Sequence, residues 1–268
     1  MLSTVGVFCS IRFYNQHGNK FFYETIENMK NAKKLSAYGM VLMVIALLAS
    51  CSNDEPSPTG TVNLAMVTSG SNTITTSGRT KGTVEITDFQ ISIRDVIFKT
   101  DVDDDGISDD STEVAFHGPY QLDLLNGADA LAATMGSAVI PNGIYEELRF
   151  KYHKDTDLAN TAPLYDRSIF IAGNIDGTPF EMWHDTSENL DIGKNSGGIV
   201  VNDNVVDLTV NFTIEQLLSA VVAIDLSQAV DGNQDGLIEI NPDNDDGNAD
   251  FADALKENIK GAADLLDE

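Results

Sequence analysis

From residue 61 onward, apolar side chains recur at every second position, and this period limits the fold more than any other feature of the chain. Val206, Leu208, Val210 and Phe212 alternate with Asp207, Thr209, Asn211 and Thr213. Successive side chains of a strand point to opposite faces, so this pattern reads as a half-buried β-strand. Val62, Leu64 and Met66 repeat it, as do Tyr120, Leu122 and Leu124, then Leu148, Phe150 and Tyr152. Shorter stretches at Ile169 and Ile171, and at Phe180 and Met182, add further strands. Between Val84 and Phe98 the phase slips twice, which predicts bulges or a broken long strand. Pro141-Asn142-Gly143 marks a turn, and residues 68–82 are rich in Ser, Thr and Gly. Seven or more short strands with no βαβ rhythm and no nucleotide loop predict a mainly β fold. The expected architecture is an antiparallel β-sandwich, or a barrel-like relative, over 61–213.

The remaining segment, 214–268, changes period. Thr213 and Gln216 have capping-box spacing, with Ile214, Leu217, Leu218 and Val221 on one helical face. A second helix is expected from about Phe251 to Leu266, with Asp250 as N-cap and Phe251, Leu255, Ile259 and Ala262 or Leu266 inward. The C-terminal part is therefore expected to be a short α-helical appendage containing an acidic loop.

Ahead of the strands lies a leader. Lys30, Lys33 and Lys34 form a positive region, and Met40–Leu48 an apolar one. That run falls short of the ~20 apolar residues needed to span a bilayer and matches a signal peptide. Leu48-Ala49-Ser50-Cys51 then reads as a lipobox: small residues suit the signal peptidase, and the Cys51 thiol would take the lipid. Stable anchoring needs more than one acyl chain, as a lipidated N-terminal cysteine provides. Residues 29–50 are thus read as the signal peptide, and 51–60 as the lipidated cysteine with a polar, Pro-containing tether. Residues 1–28 carry Glu24 and Glu27 directly before the positive region and do not fit this scheme. They read as an extension ahead of a true start at Met29. Asp54 and Glu55 behind the cysteine suit export to the cell surface. The expected location is the outer membrane, facing outward, with a periplasm-facing orientation as the alternative.

Charge narrows the partners. The chain holds 16 Lys and Arg against 42 Asp and Glu, a net charge of −26. Its first 50 residues are net basic, so the body is more acidic still. Such a surface repels nucleic acid and attracts cations. Only Cys9 and Cys51 are present, so the body has neither a disulfide framework nor a thiolate metal site.

Two acidic loops have the spacing that calcium requires: oxygen ligands at alternate residues, and a glycine for the tight turn. In the first, Asp101, Asp103, Asp105 and Gly106 take positions 1, 3, 5 and 6, and Asp109 position 9. Position 12 is Thr112, with Glu113 one step late, and the flanks are strands, so this is a hairpin loop and no EF-hand. In the second, Asp231, Asn233, Asp235, Gly236 and Glu239 take positions 1, 3, 5, 6 and 9, with Ile238 at the apolar position 8. Position 12 is Pro242, so Asp243, Asp245 or Asp246 would have to substitute. Each loop reads either as a structural calcium site or as an acidic turn.

Chemistry for an enzyme is thin. His117, His153 and His184 show no zinc spacing, and there is no Gly-x-Ser-x-Gly and no cysteine nucleophile in the body. Glu146 and Glu147 are expected on opposite strand faces. Trp183-His184-Asp185 is either a contact patch for a glycan or protein partner or half-buried packing. No catalytic residues are assigned, and the expectation is no enzyme but a calcium-stabilised binding, adhesion or structural module. The competing class is a carboxylate-based envelope hydrolase acting on glycans, whose acids would meet only in the fold.

Tyr120–Leu125, Ile140-Pro141-Asn142-Gly143-Ile144-Tyr145-Glu146-Glu147-Leu148-Arg149-Phe150 and Asp235–Pro242 carry a resemblance. Over about 61–245 the chain resembles uncharacterised β-sandwich lipoproteins of Gram-negative bacteria. These include a domain-of-unknown-function family with a Leu-Pro-x-Gly-x-Tyr-x-x-Ile-Arg phrase. The resemblance implies the sandwich and the envelope location, and brings no catalytic residues.

Overall fold

The longest strand organises the molecule. In a computed structural model describing residues 58–75, 82–100, 113–127, 129–193 and 197–267, the slipping pattern at 84–98 is one bulged strand, β3 (Thr83–Lys99). Register shifts fall at Ile86/Asp88, Phe89/Gln90, Ile93/Asp95 and Val96/Ile97. At Ile86/Asp88 and Ile93/Asp95 the extra residue, Thr87 or Arg94, lies in β3 and returns the next apolar side chain to the inner face; at Phe89/Gln90 and Val96/Ile97 it lies in the partner strand, as Leu124 or Ala115. One edge of β3 pairs with β2 (Thr73–Thr75) and β4 (Glu113–Asn126). Its other edge takes two strands in succession: β9 (Ile169–Ile175) along Val84–Ile91, then β8 (Glu147–Tyr152) along Ile93–Lys99.

This nine-stranded sheet also holds β5 (Asp129–Ala130), β10 (Thr178–His184), β11 (Asn189–Gly193) and β14 (Ile238–Ile240). A second sheet has the order β15-β13-β1-β6, with β1 (Thr59–Ser69), β6 (Ala132–Pro141), β13 (Val205–Thr213) and β15 (Ala263–Asp267). A two-stranded sheet pairs β7 (Gly143–Tyr145) with β12 (Ile199–Val201). The two large sheets share one core, as a β-sandwich requires, and none closes into a barrel. Phe89 of β3 meets Phe212 of β13 edge to face, ring centroids 5.5 Å apart. Val62, Leu64 and Met66 are buried beside Leu208 and Val210. The Thr68 hydroxyl donates across the sheets to the Leu124 carbonyl at 2.8 Å.

The Pro141–Tyr145 phrase is a structural corner. Buried Tyr145 donates its hydroxyl to the Pro141 carbonyl four residues back at 2.8 Å, locking the turn between β6 and β7. Phe98 packs edge to face on the same ring.

The C-terminal segment follows the expected order only in part. The helix expected after Thr213 is a single 3₁₀ turn, Ile214–Leu218, and Thr213 makes no side-chain cap bond. Val221, expected inward, is exposed. The reason is Asn258, which is fully buried. Its Nδ2 donates to the carbonyls of Leu217 (2.9 Å) and Val222 (2.8 Å), and its Oδ1 accepts from the N–H groups of Val221 (2.9 Å) and Val222 (2.8 Å). An α-helix would join the Leu217 carbonyl to the Val221 N–H. The Asn258 amide occupies both groups and stops the helix there.

Asn258 lies on α1 (Ala249–Ala262), which buries Ala252, Leu255, Ile259 and Ala262, with Phe251 partly buried. The expected stripe is present, but the N-cap is Asn248, two residues before the expected Asp250, and the helix stops at Ala262. Residues 263–267 become β15 because they pair with β13, Leu265 opposite Val210 and Leu266 opposite Thr209. The two-residue period returns there, leaving Leu266 exposed and Leu265 against the core. β14 and β15 thus weave the C-terminal segment into both sheets. Among the described residues, no helix is long and apolar enough to cross a membrane.

α1 is also held by charge. Lys256 Nζ lies 3.0 Å from Glu188 Oε1, and Lys260 Nζ 2.9 Å from Glu188 Oε2. Hydrogen bonds from Lys260 and Lys256 lower the Glu188 pKa to about 2. A depressed carboxylate contributes stability above its unfolded pKa and loses it as pH falls toward the folded one. The melting-temperature difference between wild type and Glu188→Gln is therefore expected to be full at neutral pH and to shrink as pH falls from about 4.5 to about 2. Asn258→Leu strands four backbone groups, of which the Leu217 carbonyl is buried. In denaturant titration it is expected to cost roughly 3 to 5 kcal/mol, far above a typical surface change.

Candidate functional site

The second acidic loop is a folded knot. β14 pairs in parallel with β10, Glu239 opposite Glu181, and this fixes the loop's downstream end to the large sheet. Upstream, Asp231 Oδ1 accepts from the Asp235 N–H at 3.1 Å, and its Oδ2 from the Gly236 N–H at 2.9 Å. Asn233 Oδ1 accepts from Asp235 N–H and Asp235 Oδ1 from Leu237 N–H, both at 2.9 Å. Short Asn and Asp side chains that capture a backbone N–H two residues on make Asx turns, so the alternation itself bends the chain. Gly236 sits at φ +94° where the bend demands it.

Of Asp243, Asp245 and Asp246, the structure brings Asp246 into the loop. It is buried, with Oδ1 3.0 Å from the N–H groups of Gly232 and Asn233 and Oδ2 2.7 Å from that of Glu239. A Cβ on residue 232 would meet the Asp246 carbonyl oxygen at 2.5 Å, so only glycine allows this approach. Asn248, also buried, donates to the carbonyls of Val230 (2.7 Å) and Glu239 (2.9 Å) and accepts from Val230 N–H (3.1 Å). Asp246 and Asn248 thereby tie the loop to the start of α1. Their role was legible only as a cluster of acids and amides, Asn241-Pro-Asp-Asn-Asp-Asp-Gly-Asn248.

The electrostatics are one-sided. Glu239 takes a hydrogen bond from Asn233 Nδ2 at 3.1 Å, and its pKa is raised by burial, then by Asp245, Asp246, Asp235 and Glu181. Among the described residues, no Lys or Arg ion-pairs with Asp231, Asp235, Glu239, Asp243, Asp245 or Asp246. Asn241 is almost fully buried. Its Nδ2 donates to Asp245 Oδ2 at 3.1 Å while its Oδ1 has no hydrogen-bond partner. A hard cation accepts amide and backbone oxygens as well as carboxylates, and this donor set suits one. As they stand, the carboxylates are turned onto backbone N–H groups. No three His, Cys, Asp or Glu side chains among the described residues are grouped to hold a metal.

The first loop, with Asp101, Asp103, Asp105 and Asp109, lies outside the described residues, as does Cys51. Its flanks are described: Phe98 pairs with Glu113, so the segment connects adjacent antiparallel strands, as a hairpin loop does.

The remaining candidates are dispersed. His117 Nδ1 lies 3.5 Å from Asp95 Oδ1 at the surface. Buried His184 has Nε2 3.3 Å from Asp253 Oδ1. Glu146 is exposed, whereas Glu147 is buried 3.2 Å from Lys99 Nζ, so the pair is split across two faces. Trp183 is half-buried beneath the Arg167 guanidinium, 4.6 Å from its ring centre, while His184 points inward. An open groove of about 500 Å³ at the β9–β10 turn is lined by Thr83, Glu85, Asn174, Asp176 and Gly177. Within it, Asp176 accepts from the Thr83 N–H at 2.7 Å.

Compared with known proteins, the chain matches no family model, no curated protein and no solved structure.

A carboxyl whose pKa rises on folding costs stability when ionised. Glu239→Gln should therefore raise the melting temperature in chelator at neutral pH by roughly 1 to 3 °C. The same change should reduce any calcium-induced rise, a crossover that calorimetry at two calcium levels would read.

Proposed function

We propose that this chain is a lipid-anchored envelope protein, held in the outer membrane through Cys51 and facing outward. Its β-sandwich acts as a binding, adhesion or structural module, and calcium closes its Asp231–Asp246 loop. The observation that carries the cation reading is the uncompensated acidity of that knot. Six carboxylates lie within it and Glu181 acts on it, no basic partner answers them among the described residues, and the buried Asn241 side-chain oxygen Oδ1 has no partner. Asp231, Asn233, Asp235, Glu239 and Asp246 would supply the ligands. The ion would neutralise their repulsion and fix β14 and α1 to the sheet. The lipobox and the polar tether support the anchor.

Calcium is expected to raise the melting temperature of the chain, and magnesium to do so less. With a Kd of roughly 10⁻⁴ to 10⁻³ M, 10 mM calcium would add about 1.4 to 2.7 kcal/mol. That is several degrees for a domain of this size. Asp235→Ala should remove the shift if the second loop is the site, and Asp103→Ala if the first is. No shift in the wild type would reduce both loops to acidic turns.

A further inference from the structure

We infer that one end of the sandwich is a membrane-contacting face, formed by Val139, Ile144, Val200 and Val205 and seated on the uncharged lipid interface beneath the anchor. The inference rests on the lipid anchor at Cys51 proposed above.

These four side chains are 64, 56, 51 and 63% exposed; Leu131, Val221, Val222, Val230 and Leu266 are the other exposed large apolar residues among those described. The four belong to one place. Asn142 and Asp203 hold two turns together, Asn142 Nδ2 donating to Asp203 Oδ1 at 2.8 Å and the Asp203 N–H to Asn142 Oδ1 at 3.0 Å. Each of the four apolar residues lies within three positions of that pair. Val139 and Val205 flank Thr61 on β6, β1 and β13, and Ile144 opposes Val200 across β7 and β12. Tyr145, Ile199 and Val201, their neighbours in sequence, are buried, so the exposed side chains face away from the core.

The chain enters the fold at this end. The Asn142 N–H donates to the Pro58 carbonyl at 2.8 Å, and Thr61 N–H to Asn204. Seven residue steps lead from Cys51 to Pro58. Fully extended, they reach at most about 25 Å, so an anchor at Cys51 keeps this end near the lipid. β1 carries the chain ~35 Å away to Ser69 at the opposite end, where Asn72 accepts from the Ile86 N–H and Asp176 N–H donates to Thr83.

Charge selects the kind of surface. Asp203 and Glu146 stand at this end, Lys99 and Arg149 are matched by Glu147 and Asp191, and the aspartate-bearing β3–β4 connection leaves from Lys99. Anionic headgroups would be repelled. The contact is apolar, shallow and insensitive to salt, adding to what the acyl chains supply.

The test uses the mature acylated chain in phosphatidylcholine vesicles carrying a lipid-borne quencher. A fluorophore is placed at Val200→Cys or, at the far end, at Thr75→Cys. The label at 200 is expected to be quenched roughly threefold more than that at 75, at low and high salt alike. Adding Val139→Ser, Ile144→Ser and Val205→Ser should abolish the difference while the chain still floats with the vesicles. Equal quenching at both positions on a vesicle-bound chain would overturn the contact face and leave the anchor standing. A Cys51 without acyl groups by mass spectrometry, on a chain that does not float, would overturn both readings. Preferential quenching in anionic vesicles that salt removes would overturn the apolar contact in favour of a charged one.

Discussion

Everything in the described fold hangs on the seam between β3 and β13. The body of this chain has no disulfide, and its large negative charge works against compaction. Cohesion therefore comes from apolar burial across two sheets. Phe89 against Phe212 is the centre of that burial, with Leu64, Met66, Ile91 and Val210 fully buried in the same core. β1 and β13 lie side by side in parallel, although about 140 residues separate them. Such a pairing cannot form from a local hairpin, so the second sheet exists only once the whole chain has been laid down.

Around that seam, polar side chains take over tasks that backbone usually performs. Asn258 replaces one helical hydrogen bond and holds α1 against residues 217–222. Asn248 joins residue 230 to residue 239, and Asp246 satisfies three N–H groups of the acidic loop. A buried amide that uses all its donors and acceptors adds rigidity, whereas the same amide left half-paired would be a defect. The one exception in this region, the Asn241 side-chain oxygen, lies in the segment that carries Glu239, Asp243, Asp245 and Asp246. That coincidence is what makes the region a cation candidate and more than a tightly wound linker.

The strands were legible because half-burial writes itself as a period of two, and the bulges of β3 were legible as slips of that period. β6 was not: Ala132-Ala-Thr-Met-Gly-Ser-Ala-Val-Ile140 is small and uncharged on both faces, so its alternation carries little contrast. β15 was read as helix because Leu265 and Leu266 fit either period, and only the free edge of β13 decides between them. The 3₁₀ turn defeated a capping-box reading through Asn258, a residue about 40 positions away that no local pattern could reveal. In the acidic loop, the alternating Asp and Asn side chains accept backbone N–H groups and bend the chain. Which downstream acid closes it depended on burial, and Asp246 is the buried one.

The two ends of the sandwich are chemically different, and the strand directions make that difference consistent. β3 runs from Thr83 at the far end to Lys99 at the end where Pro58 enters. β10 and β14 run the same way, so the loop of 231–237 precedes β14 on the far side of the molecule. The acidic knot, with exposed Val230 at its border, is thus held away from the tether, beside which Val139, Ile144, Val200 and Val205 gather. A short tether gives a polarity of this kind a consequence. On the proposed anchor at Cys51, it would confine the apolar end to a lipid surface and present the acidic knot to solvent and cations. An anchored domain that tumbled freely would need neither the clustering of Val139, Ile144, Val200 and Val205 nor the Asn142–Asp203 lock that gathers them.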